Sequence, residues 1–167
     1  MNHDIKTAFE RQTKAVTLRP GIGKNTAITK VILKDAVTCE IEEGNWKFKA
    51  DMSEKWGGKN EGPSPGTYGR AALGSCIAMS YVLWASKLDI QLDELSVEVQ
   101  ADYDTRGMCG VDDVKSGYTE VRYVVNIKSP ADKKEIYHLL DIADERSPYL
   151  EIFRNPQNIV RVINLKK

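Results

Sequence analysis

Apolar and polar positions alternate with a period of two in several places along this chain. Val37, Cys39 and Ile41 interleave with Thr38 and Glu40; after the turn "EEGN", Trp46, Phe48 and Ala50 interleave with Lys47 and Lys49. That pattern predicts an antiparallel hairpin with one face buried, and it places Cys39 with the core residues. Leu95, Val97, Val99, Ala101 and Tyr103 predict a longer strand, and Val121, Tyr123, Val125 and Ile127 predict another. Nearer the start, Ile5, Ala8 and Phe9 suggest one helical turn. Residues 13–18 and 26–33 read as two strands joined by "RPGIGKN", whose proline and glycines are turn residues.

Elsewhere the period lengthens. "GRAALGSCIAMSYVLWASKLDI" (69–90) follows the loop "WGGKNEGPSPGTYG" (56–69) and is apolar nearly all round, which predicts a helix buried on every side. In "SPADKKEIYHLLDIADER", Ser129 reads as an N-cap and Pro130 as the first helical residue. Ile136, Leu139, Leu140 and Ala143 form one stripe of that helix, and His138 lies off it in solvent. A second Ser-Pro start follows at Ser147, and "NIVRVINL" reads as a closing strand. The sum is an α+β architecture in one domain, residues 1–167.

Composition removes several function classes. Lysine plus arginine equals aspartate plus glutamate, 24 against 24, so there is no basic footprint for nucleic acid or an anionic membrane. The longest charge-free run, Ala71 to Ser86, is shorter than the roughly 20 residues a membrane span needs. The first residues lack the apolar region of a signal peptide, so a cytoplasmic location is expected. Three widely spaced cysteines, 39, 76 and 109, with no C-x-x-C, argue against a disulfide framework and against structural zinc. No phosphate-binding glycine motif is present, and neither a metal nor an organic cofactor is expected.

What remains is Cys76. Read as lying in the first two turns of the buried helix, its sulfur would gain from the partial positive charge and unpaired N–H groups of the helix start. The thiolate is the nucleophile, whereas a free cysteine with a pKa of about 8.5 supplies little thiolate at neutral pH. The dipole fades beyond the first turn, so a nearby cation is also expected.

"GPSP" (62–65), "AALGSCIA" (71–78), "LDELSVEVQADYDTRG" (92–107) and the Ser-Pro start at 147 resemble the OsmC/Ohr family. These are the osmotically induced protein C and organic hydroperoxide resistance proteins. The resemblance runs in order through most of the chain. It implies an OsmC-like fold: antiparallel sheets wrapped around a long buried central helix, in an intertwined homodimer. It further implies a thiol-dependent peroxidase acting on organic hydroperoxides, with Cys76 at the position of the reactive cysteine. The family places an arginine in its first hairpin. Here Arg19 and Lys24 both stand in that region, and Arg70 is a further cation before the apolar run. Spacing does not choose among them; Arg19 is preferred because guanidinium stays charged and can hold thiolate and peroxide oxygen together.

The chain departs from the peroxidase branch twice. Where a second, resolving cysteine precedes proline there, this chain has Ser147. Where the branch has a glutamate ten residues before the reactive cysteine, this chain has Gly66. Two functions follow from different classes. One is a one-cysteine peroxidase reduced by an external thiol, with Cys109 an alternative resolving residue. The other is a non-catalytic dimeric module that binds a small hydrophobic ligand or senses redox state.

Overall fold

A computed structural model describes residues 2–165. Helix α1 (Asn2–Leu18) replaces the expected strand at 13–18. The β-branched residues that suggested a strand are accommodated by back-bonding: the Thr13 and Thr17 hydroxyls donate to the carbonyls of Phe9 and Thr13. Phe9 sits edge-on to Trp84 with ring centroids 5.5 Å apart, and Lys6 Nζ donates to Asp89 at 2.7 Å. A 3-10 turn, Pro20–Gly23, leads on to the first sheet.

Strands β1 (Lys30–Asp35), β2 (Thr38–Glu43) and β3 (Trp46–Ala50) form an antiparallel sheet in that order, so the strand expected from residue 26 begins at Lys30. The hairpin read from alternation pairs Ile41 with Phe48 and Cys39 with Ala50. Its apolar face is only partly covered, because Val31, Leu33 and Phe48 remain exposed in the protomer.

Between β3 and the central helix the chain folds into a loop anchored by Asp51. Its buried carboxylate accepts from the backbone N–H groups of Met52, Lys59 and Glu61 at 2.8, 3.0 and 3.0 Å. One side chain thus gathers ten residues of loop, and these hydrogen bonds hold its carboxyl below the usual carboxylate range. The Asp51 backbone N–H also donates to Pro63 O, fixing where the next helix starts.

That helix, α2 (Pro65–Lys87), begins earlier than composition suggests. Ser64 caps it, its hydroxyl accepting from Thr67 N–H, and Pro65 takes the first helical position. After it come β4 (Glu94–Tyr103), the short α3 (Thr105–Cys109), β5 (Tyr118–Lys128), α4 (Lys133–Glu145) and α5 (Pro148–Arg154). The two long strands pair antiparallel with Val97 opposite Val125 and Val99 opposite Tyr123, as the alternation predicts. α4 is capped by Asp132 in a reciprocal box with Glu135, not by Ser129, whose hydroxyl instead donates to Gln91 O.

Leu73, Ile77 and Tyr81 of α2, Ala143 of α4 and Leu150 of α5 form one core against the inward residues of β4 and β5. Burial of each large side chain there contributes on the order of 2 kcal/mol. Gly74 faces Val99, where a Cβ would come within 3.1 Å of a valine methyl; the missing side chain brings helix and sheet together. α2 is not buried on every side, however. Ala71, Ser75, Met79 and Leu83 make an exposed stripe, with Met79 67% exposed. The expected closing strand is absent too: among the described residues, 156–165 pair with no strand, and Ile159 is 91% exposed.

Asp51→Asn is expected to lower the melting temperature at neutral pH, because an amide cannot accept as the carboxylate does. A depressed carboxyl pKa stabilises above the unfolded value, about 3.9, and that stabilisation is lost as pH falls through the folded value. The gap in melting temperature between wild type and variant should therefore close on acidification. A gap that stays constant from neutral pH to below the carboxylate range contradicts the latch.

Candidate active site

Cys76 is the twelfth residue of α2, roughly 16 Å from its first residue at 1.5 Å per residue. The helix start read from sequence was too late, because "GPSPG" conceals a Ser-Pro cap inside an apparent loop. At this depth neither the helix dipole nor the unpaired N–H groups act on the sulfur, so that part of the expectation is corrected.

The thiol is half-buried, between exposed Ser75 and fully buried Ile77. Its sulfur meets the hydroxyl of Ser147 at 3.6 Å. Ser147 occupies the N-cap position of α5 and is 2% exposed, yet its side chain makes no capping bond. The hydroxyl turns to the sulfur instead.

Two ties from α2 set this contact. Ser80 Oγ donates to Ala143 O at 3.3 Å, and Tyr81 OH donates to Asp144 Oδ1 at 2.7 Å. Tyr123 OH, from β5, donates to the other oxygen of Asp144. Burial, then the bond to Asp144, pushes the Tyr81 phenol well above its ordinary pKa and that of Tyr123 up to about 12, so both remain donors at neutral pH. The Ser147 N–H in turn donates to Asp144 O at 3.4 Å. The last turn of α4 is thereby fixed against α2, and the next residue but two is delivered to the thiol. This clasp joins residues 21 and 63 positions apart, and no local pattern announces it.

The other sequence candidates lie elsewhere. Arg19 follows α1, is exposed, and among the described residues makes no side-chain hydrogen bond or ion pair to Cys76 within the protomer. Lys24 closes the Pro20–Gly23 turn and is also exposed. Arg70 points to Tyr118, donating to its hydroxyl at 3.1 Å. Gly66 lies beside that pair: a Cβ there would stand 3.3 Å from the Arg70 guanidinium. Cys109 is exposed at the end of α3, and Cys39 is half-buried in β2. Ser75 back-bonds to Ala72 O, as expected of a helical serine. His138 is exposed. Among the described residues, no cluster of His, Cys, Asp or Glu could hold a metal ion.

Residues 58–160, more than half of the chain, match the family model of the OsmC-like proteins. The chain belongs to the OsmC-like family. Solved OsmC-like structures share its fold. An OsmC-like protein from Mycoplasma pneumoniae superposes with a TM-score of 0.68 at 19% identity, over 80% of this chain and 90% of that one. An organic hydroperoxide resistance protein from Elizabethkingia anophelis gives 0.60 at 18%, over 80% and 91%. The organic hydroperoxide resistance protein OsmC of Legionella pneumophila gives 0.57 at 19%, over 78% and 90%. No curated protein matches the sequence. At these identities the likeness establishes the α+β OsmC-like fold, with its antiparallel sheets and long α2.

The Cys76–Ser147 contact makes a direct prediction. In Ser147→Cys, mild oxidation should link positions 76 and 147, giving a loss of two hydrogens and one joined peptide by mass spectrometry. A folded variant that stays fully reduced under conditions that oxidise a dithiol contradicts the observed proximity.

Proposed function

We propose that this OsmC-like protein is a thiol-dependent peroxidase that reduces organic hydroperoxides through Cys76 alone. The observation that supports it most is the half-buried thiol held beside a hydroxyl at the start of α5. Thiolate attacks the distal oxygen of R–OOH; the O–O bond breaks, an S–O bond forms, and the alkoxide takes a proton to leave as ROH. Cys76 is then a sulfenic acid. An alcohol cannot condense with it, so reduction falls to an external thiol. A first thiol displaces water to form a mixed disulfide, and a second releases Cys76 and the external disulfide. Ser147 can donate to the sulfur in both its thiolate and sulfenic forms.

The cation that assists the attack is Arg19, in this proposal supplied once the protein pairs. A homodimer is supported by three surfaces that a lone protomer leaves wet: the Ala71–Leu83 stripe of α2, the apolar face of β1–β3, and the exposed residues 156–165. A stripe of small and apolar residues on the central helix suits a self-complementary two-fold interface. Among the described residues no helix is long and apolar enough to cross a membrane.

Steady-state reduction of cumene hydroperoxide with a dithiol tests the chemistry. Cys76→Ser should abolish turnover while Cys39→Ser and Cys109→Ser retain it. Loss confined to either of the latter overturns the assignment, and no turnover in wild type with an inert Cys76 favours the binding module. Analytical ultracentrifugation at low micromolar concentration should show a dimer; a monomer removes Arg19 from the site as proposed.

A further inference from the structure

A concavity lies along the first turns of α2, lined by neither Cys76 nor Ser147. It encloses about 700 Å³, within the range of small-molecule sites. Trp56, Tyr103 and Met108 give it apolar walls, and Arg70 and Tyr118 give it a polar end. Its rim is pre-formed rather than collapsed, because Asp51 pins the loop that carries Trp56 through the three backbone bonds described above.

Arg70 is the unusual group there. Among the described residues its guanidinium meets no carboxylate; its one side-chain partner is the Tyr118 hydroxyl, which in turn donates to Gly66 O. The two acidic side chains in the wall do not serve it. Asp104 is taken by Arg106, whose backbone N–H and guanidinium both donate to it, and Asp51 is taken by backbone N–H groups. A partly buried guanidinium offers a planar fork that matches a carboxylate, and most of this fork is unused. Gly66 leaves it room, since a Cβ there would stand 3.3 Å from the guanidinium, a tight contact.

We propose that this cavity binds a small carboxylate with an apolar or aromatic body. The carboxylate pairs with Arg70 beside the Tyr118 hydroxyl, and the body lies across Trp56, Tyr103 and Met108.

3-Phenylpropionate is a suitable probe and 3-phenylpropionamide its uncharged isostere. In amide-resolved NMR titrations of the full chain, the acid should cause saturable shifts at Gly66, Ser116 and Gly117. The amide should bind about tenfold more weakly, as loss of a charge-assisted pair requires. Arg70→Gln should bring the acid down to the level of the amide while circular dichroism and melting temperature stay near wild type; Arg70→Lys should restore part of the difference. Equal binding of acid and amide to wild type overturns the proposal. So does undiminished binding to Arg70→Gln, absence of saturable shifts at millimolar acid, or shifts centred away from this cavity.

Discussion

One long apolar helix must be covered, and the rest of the chain is arranged by that requirement. α2 presents Leu73, Ile77 and Tyr81 to the β4–β5 hairpin and to the α4–α5 corner, and these residues are almost wholly removed from water. Covering it brings chain segments about 70 residues apart in sequence into contact, and the thiol lies at one such seam. Cys76 is neither deep in the core nor on the open stripe. A position at the margin suits the proposed chemistry, in which the thiolate is sheltered and yet reached by a peroxide and then by a thiol.

Positioning in this site comes from buried hydrogen bonds, not from a helix terminus. Tyr81 and Tyr123 hold both oxygens of Asp144, and the Asp144 carbonyl holds the backbone of Ser147. Tyr81 is buried and Tyr123 partly so, which shelters their bonds to Asp144 from competing water. Ser147 therefore presents its hydroxyl to a fixed place. A cysteine at this corner could condense with an oxidised Cys76, whereas the oxygen of Ser147 cannot.

The sequence is legible wherever a pattern is local and one face is buried. β4 and β5 alternate because their sheet packs on one side, and the α4 stripe ending in Ala143 is found for the same reason; β2 and β3 show the same alternation although their apolar face is only partly covered in the protomer. It misleads where local chemistry overrides the pattern: threonine back-bonds keep residues 13–18 helical, and Ser64 and Pro65 start a helix inside a glycine-rich segment. Residues 158–165 have the composition of a strand, but a strand needs a neighbour, and the protomer gives it none. Cys76 and Ser147 were each legible as positions. The turning of Ser147 toward the thiol, the Asp51 latch and the Asp144 clasp were not, because each is made between residues that no period connects.

In the proposed cycle Cys76 reacts with a hydroperoxide and has no internal partner afterwards. Reduced protein given one equivalent of cumene hydroperoxide and then dimedone tests it, read as intact mass and by peptide mapping. The account predicts a single adduct on Cys76, from a sulfenic acid that persists long enough to be trapped. A Cys76–Cys109 disulfide in high yield, or a Cys76 that stays a free thiol throughout, would contradict it.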